Sequence, residues 1–372
     1  MNNPLGVMIE EPGTGNEERG TRRVFLVSPW DETDPDEVRG APDQAYLVRG
    51  ITGKCWKVIS VAPVEFRLPP LLRLMFFGLE IGLNALVVPI RGLCLFRRFG
   101  KPSLVICLDG KLAPGALVLS FLTGVRLVRF QHGIKDYLTR KNRFMGFLLN
   151  PDVPLNYWLP GPLFAVEDGS GAWALGEKRK VFIKLTQARP EPVPDVQKER
   201  AFVFCGRLHR IKGANRFIRV ARRVRELVPS AVCVVIGAGP LSDDFGKESW
   251  IEMMGDLTHH KAIQQIARAR VLCATAPYGN FTLPVLEAMS AGTVPVVFGI
   301  GWTGYMIRDA GVLISPFDEE AMAQGIARLL LDEEFFLEMS RRAIDRAKEF
   351  PSWQERTDGV IETLEALCSR SS

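Results

Sequence analysis

The 372-residue chain carries 47 Lys and Arg against 42 Asp and Glu, a formal net charge of +5, with 47% hydrophobic and 24% charged residues. That balance excludes a disordered chain and one built mainly of membrane spans, and the length gives room for two domains that each bury a core. The seven cysteines (Cys55, Cys94, Cys107, Cys205, Cys233, Cys273 and Cys368) fall mostly in apolar runs with no C-x-x-C pair, and read as reduced, buried thiols.

Residues 1–22 contain no long apolar core and read as a mobile tail on a cytoplasmic protein, not a secretory signal. Arg23 to Ser28 is the first expected strand and Val58 to Val61 the second. Between them, PWDETDPDEVRG (Pro29 to Gly40) is acidic and Pro-rich. Turn chemistry explains it, and a cation site is the alternative, although no His or Cys joins it. From Arg67 to Arg98 a long apolar stretch is interrupted by Glu80, Asn84 and Pro89 before the roughly 20 residues that span a bilayer. Two readings stand: a helix lying among lipid headgroups with flanking Arg, or a helix packed on its own sheet. Leu104 to Leu108, a helix from Ala113 to Leu122, and Val125 to Phe130 then repeat a strand-helix-strand pattern, which predicts a parallel sheet covered on both faces. Lys111 and His132 directly follow strands, where doubly wound sheets bind ligands.

PEPVP (Pro190 to Pro194) punctuates the chain before a second alternation. There an apolar run, Ala201 to Cys205, breaks at Gly206 and delivers Arg207 and Lys212 ahead of an Arg-rich helix. Two cations in such a loop suit a pyrophosphate, although a plain strand-to-helix turn has the same form. In that helix, Arg216 to Leu227, apolar residues Phe217, Val220, Ala221 and Val224 keep helical spacing and the arginines take the other face. A solvated outer helix accounts for them; nucleic-acid binding ranks last, because neither an aromatic platform nor a concentrated basic stripe accompanies it. Val232 to Leu241 is a strand ending in a Gly-rich turn, and MMGDL (Met253 to Leu257) follows. Further on, Thr282 and Pro284 mark a helix start, whose free N–H groups and positive dipole end form an anion site. Glu287, one turn in, can accept hydrogen bonds from ribose hydroxyls; the dipole alone also favours a Glu there.

The succession FVFCGRLHRIKG, VCVVIGAGPL, MMGDL, FTLPVLEAMSAGTVPVV resembles the C-terminal half of glycosyltransferase family 4, the retaining enzymes of the GT-B fold. GVLISPFDEEAMAQGIARLLLD (Gly311 to Asp332) and FPSW (Phe350 to Trp353) extend the likeness, which covers Ala201 to Cys368. In the N-terminal half only FQHGI (Phe130 to Ile134) and VEDGSGAWALGEKRKVFI are similar. The resemblance implies two Rossmann-like doubly wound α/β domains facing across a cleft. These are an acceptor-binding domain over residues 23–189, a linker at 190–199, a nucleotide-sugar domain over 200–352, and a C-terminal helix (353–372) returning to the first domain.

Carried over residue by residue, it implies that Arg207 and Lys212 grip the donor diphosphate, with Gly206, Met254, Asn280, Phe281, Thr282 and Leu283 lining the donor site and Glu287 on the ribose. His132 would act with Arg207 and Lys212 at the catalytic centre, near the transferred sugar. The implied activity is a metal-independent hexosyl transfer from a nucleoside-diphosphate sugar to a glycan or lipid-linked acceptor in cell-envelope or exopolysaccharide synthesis. It needs no cofactor beyond the donor, and would run in the cytoplasm at the inner face of the membrane. One departure matters. The family's second carboxylate, eight positions before the ribose Glu, is Gly279 here; Thr275-Ala276 replaces the usual Pro-Ser, and GWTGY (Gly301 to Tyr305) replaces Gly-Gly-x-x-Glu. A non-catalytic GT-B subunit and a sugar-nucleotide epimerase of the same fold are the alternatives.

Overall fold

The computed structural model describes residues 22–28, 43–53, 56–63, 70–131, 156–166, 182–185, 187–190, 196–277 and 282–369. The N-terminal part opens with β1 (Arg23–Val27), α1 (Asp43–Gly53), β2 (Lys57–Val61) and α2 (Pro70–Phe99), followed by β3 (Leu104–Cys107), α3 (Ala113–Thr123), β4 (Leu127–Gln131), β5 (Leu163–Val166) and β6 (Phe182–Leu185). All strands pair in parallel, in the order β2-β1-β3-β4-β5-β6. β1, β3 and β4 are buried along nearly their whole length, the mark of a sheet covered on both faces. One face packs under α2 and α3 through Phe25, Val27, Val88, Ala116 and Leu119. The other packs under α1 and the last helix of the chain through Val24, Leu26, Ile51 and Ile361.

α2 runs unbroken through Pro89, the helix expected up to Phe99. Pro89 forgoes one backbone bond, which tertiary burial can outweigh. Asn84 donates its amide to the Glu80 carbonyl at 3.0 Å, and Gly115 of α3 approaches so near that a Cβ there would meet the Asn84 carbonyl oxygen at 2.4 Å. Beyond the proline Gly92 lies as near to Leu119, whose Cδ2 a Cβ there would meet at 2.4 Å, so the helix is held on both sides of Pro89. Contrary to the interruption of the apolar run expected at Glu80, Asn84 and Pro89, Leu79–Phe99 is, among the described residues, long and apolar enough to cross a membrane by length and composition, because isolated polar positions leave the mean hydropathy high.

At the carboxyl end of β4, Arg129 is buried and spends its guanidinium on carbonyls: Nη2 donates to Leu159 O at 2.7 Å and Gly161 O at 3.0 Å, and Nη1 to Asn156 O. Asn156 in turn donates to Gln131 Oε1 at 2.9 Å and Phe130 O at 3.1 Å. This network fixes the strand end from which the chain proceeds to His132; His132 itself lies outside the described residues, as do the acidic Pro29 to Gly40 stretch and most of PEPVP.

The second part comprises β7 (Glu199–Cys205), α4 (Ala214–Leu227), β8 (Val232–Ile236), α5 (Ser242–Gly246), β9 (Ile251–Gly255), α6 (His259–Arg268), β10 (Ala269–Ala274), α7 (Leu283–Ser290), β11 (Val294–Phe298), α8 (Thr303–Ile307), β12 (Val312–Ile314), α9 (Glu319–Leu331) and α10 (Glu333–Lys348). Its sheet is again parallel, ordered β12-β11-β10-β7-β8-β9. The chain fills one side, β7 to β9, then crosses to β10 on the other, so the topological switch point lies between β7 and β10. α4 buries Phe217, Val220, Ala221 and Val224. Its arginines meet carboxylates: Arg216 and Arg219 pair with Glu319, Arg223 with Glu320, and Arg222 with Glu248. The basic face is therefore neutralised largely by the first turn of α9.

The last helix, α11 (Trp353–Ser369), leaves this domain and packs on the first, with Arg126 Nη1 donating to Leu367 O at 2.6 Å. The two chain crossings lie side by side. Arg189 N donates to Pro351 O at 2.8 Å, and Trp353 N returns a bond to Arg189 O at 3.2 Å. Trp353 stacks on Tyr46 of α1, ring centroids 5.5 Å apart. The described cysteines are unpaired; Cys94 is exposed, a correction to the expectation of burial, because it lies on the outer row of α2 beside Ile90 and Arg97.

Candidate functional site

The site is built at the switch point of the second sheet. β7 ends at Cys205, and Gly206 turns the chain out so that Arg207 stands exposed above the strand ends. A short 3₁₀ turn, Arg210–Lys212, begins at His209, whose Nδ1 accepts from Ile211 N at 3.1 Å, and closes at Gly213. Gly213 has φ +78, and a Cβ there would stand 2.0 Å from the Thr275 carbonyl oxygen. Only glycine fits both the left-handed backbone and the approach. The Thr275 hydroxyl donates back to Gly213 O at 2.9 Å. Thr275 at the end of β10 thus locks the Lys212 turn over the switch point, a role that gives the Thr275-Ala276 departure a physical reason. On the opposite side Gly237, φ +125, lets the turn after β8 pass Gly206, where a Cβ would meet Gly206 O at 2.2 Å.

Arg207 and Lys212 are brought together. The Lys212 ammonium is held below its ordinary pKa, first by desolvation and second by the Arg207 charge, although the residue keeps an exposed surface. Among the described residues neither cation forms an ion pair. A bound polyanion such as a diphosphate would offset both penalties.

Across β10, α7 begins at Thr282 with Pro284 in its first turn. Val285 N is spent on Thr282 O at 3.0 Å, and the Leu283 N–H has no partner within the helix. The Thr282 hydroxyl is buried without a hydrogen-bond partner among the described residues. A buried polar group thus stands at the positive end of the helix. Asn280 and Phe281, and Gly279 before them, lie outside the described residues. Met254, in the edge strand β9, is half-buried and packs, like Cys205, Leu257 and Ala274, against the core on one face of the second sheet.

Glu287 is 3% exposed, deeper than its expected ribose contact suggested. Its Oε1 lies 2.7 Å from Nε2 of His259, the first residue of α6. Its other oxygen, Oε2, has no hydrogen-bond partner among the described residues. Cys205 senses the same assembly: burial raises its thiol pKa, Glu287 and Asp256 raise it further, and Lys212 opposes them. Arg207, Lys212, Glu287, His259 and Asp256 therefore converge around the end of β7. His259 escaped the reading of the sequence. The available signal was its place in line with Ala262, Ile263 and Ile266 on the buried face of α6, while His260 points outward. No cluster of metal-ligating side chains occurs among the described residues.

Known proteins give the arrangement its context. Residues 187–350 match the family described as glycosyl transferases group 1. Over 121 residues the chain is 30% identical to the O-antigen chain mannosyltransferase B of Escherichia coli, a match covering 32% of this chain and 32% of that one; the chain spans less than half the length of the relatives it matches. Sucrose-phosphate synthase from Thermosynechococcus elongatus superposes with a TM-score of 0.70 at 13% identity, covering 94% of this chain and all of that one. Anabaena HepE, solved with UDP and glucose, superposes with a TM-score of 0.67 at 12% identity over 93% of this chain. The protein has the GT-B fold, and the match to glycosyl transferases group 1 falls on its second domain.

Proposed function

We propose that the protein is a retaining glycosyltransferase that moves a hexosyl group from a nucleoside-diphosphate sugar to a glycan or lipid-linked acceptor in cell-envelope or exopolysaccharide synthesis. The observation that carries this reading is the convergence, at the switch point of the second sheet, of two cations, a helix start and a buried carboxylate that, among the described residues, leave the cations without ion partners, the Thr282 hydroxyl unsatisfied and one carboxylate oxygen open. The likeness of residues 187–350 to glycosyl transferases supports it.

In this reading the bond between the sugar's anomeric carbon and the distal phosphate oxygen breaks, and its electron pair passes to the phosphate. Arg207, Lys212 and the Thr282–Leu283 helix start stabilise the charge that develops there. These groups do the neutralising work that a divalent ion does in other transferases, so no metal is required. The acceptor hydroxyl attacks the same face of the sugar, and its proton goes to the departing phosphate. His132 orients the sugar or acceptor from the first domain.

A lipid-linked acceptor fits the outer surface of the first domain. α2 exposes Leu86 and Ile90 with Arg97 and Arg98 at its end, and α3 exposes Leu122 and Phe121, the latter 86% exposed. We place this face against an anionic cytoplasmic leaflet, apolar side chains among the acyl boundary and arginines on the headgroups. Gly279, in place of the second carboxylate, favours one other reading, a binding subunit without turnover. Incubation with a panel of nucleotide sugars separates them. Release of free nucleotide supports the transferase, an isomerised donor indicates an epimerase, and binding without turnover indicates the subunit.

A further inference from the structure

We infer that His259 is a positioning residue that holds the Glu287 carboxylate in the orientation in which it receives the ribose hydroxyls of the donor, an inference that rests on the nucleotide-sugar reading above. Both side chains are nearly sealed from water, and their bond spans 28 residues of sequence and two helices. A carboxylate can only accept, so Nε2 carries the hydrogen and donates to Oε1. His259 opens α6, so its ring is fixed at the start of one helix and reaches the carboxylate carried by the next. With Oε1 held, the carboxylate cannot turn about its own axis, and Oε2 stays open for a vicinal diol. Without the imidazole N–H the buried carboxylate would lose the bond that fixes Oε1 and would be free to rotate away from the ligand.

The test compares UDP and GDP with their 2′,3′-dideoxy counterparts, by calorimetry on the full chain. The unaltered protein binds at least one ribonucleotide more tightly than its dideoxy form. His259→Leu, which fills space without donating, weakens that ribonucleotide about tenfold and leaves the dideoxy form nearly unchanged; His259→Gln, whose amide can donate, recovers most of the loss. Equal weakening of both ligands by His259→Leu, or no weakening, overturns the positioning role while leaving the ribose reading intact. If the unaltered protein does not distinguish ribose from dideoxyribose, the ribose reading itself fails and the inference with it. Should His259→Leu not fold, the ¹⁵N resonance of His259 Nε2 in the unaltered protein decides. A shift on adding the ribonucleotide but not its dideoxy form supports the role, and an identical response to both contradicts it.

Discussion

Gly213 and Thr275 touch backbone to backbone across the switch point, the glycine's absent Cβ leaving room for a carbonyl that would otherwise be 2.0 Å away, and the threonine hydroxyl closing the contact at 2.9 Å. The contact couples the loop bearing Lys212 to the strand that leads into the α7 anion site. Gly213→Ala must break it, since the positive φ and the clash both oppose a side chain. We expect a loss of about 1–3 kcal/mol in chemical denaturation, with a larger proportional loss of nucleoside diphosphate affinity than of fold. Unchanged affinity in a destabilised variant would show that the turn does not position Lys212.

The lowered pKa of Lys212 gives a pH signature. In the free protein, burial and Arg207 penalise the ammonium, so this destabilising contribution is fully present below the lowered pKa and is relieved as pH rises through it toward the unfolded value. A diphosphate reverses the balance by pairing with the charge. UDP or GDP affinity should therefore decline at alkaline pH, starting below the range of an ordinary lysine, and Lys212→Arg should move that decline upward. An alkaline limb identical in Lys212→Arg would assign the titration to another group.

The outer row of α2 and α3 predicts association with lipid. Purified protein should sediment with anionic liposomes at low salt and release as salt rises, because exposed charge is screened within about 10 Å at 0.1 M. Phe121→Ser combined with Ile90→Ser should reduce sedimentation without altering nucleotide binding, since both side chains lie on the first domain away from β7. Sedimentation indifferent to salt and to these substitutions would remove this face from the account.

Much of the architecture was legible because it is local. The β7 run stops at Gly206, Pro284 stands where a helix start tolerates it, and α4 separates its apolar and basic faces by helical spacing. What was not legible depends on long-range partners. Which of the two readings of α2 holds on its inner side was open until the packing of Asn84 against Gly115 was taken into account. The arginines of α4 lie on the solvated face expected of them, but their partners were hidden: Glu319 and Glu320, about a hundred residues on, pair with three of them. His259 had no visible partner until α6 and α7 were brought together. β5 and β6 are four-residue strands, too short to carry a period, and their place in the sheet comes from pairing alone.

The central claim is that Arg207 and Lys212 grip the diphosphate of a nucleotide donor. Calorimetry of UDP and GDP, with uridine and guanosine as controls, tests it most directly on the unaltered chain, Arg207→Ala and Lys212→Ala. The account predicts that each substitution weakens the nucleoside diphosphate about 10- to 100-fold, the range of a lost charge-assisted contact, and leaves nucleoside affinity unchanged. Diphosphate affinity close to that of the unaltered protein in both variants would contradict it.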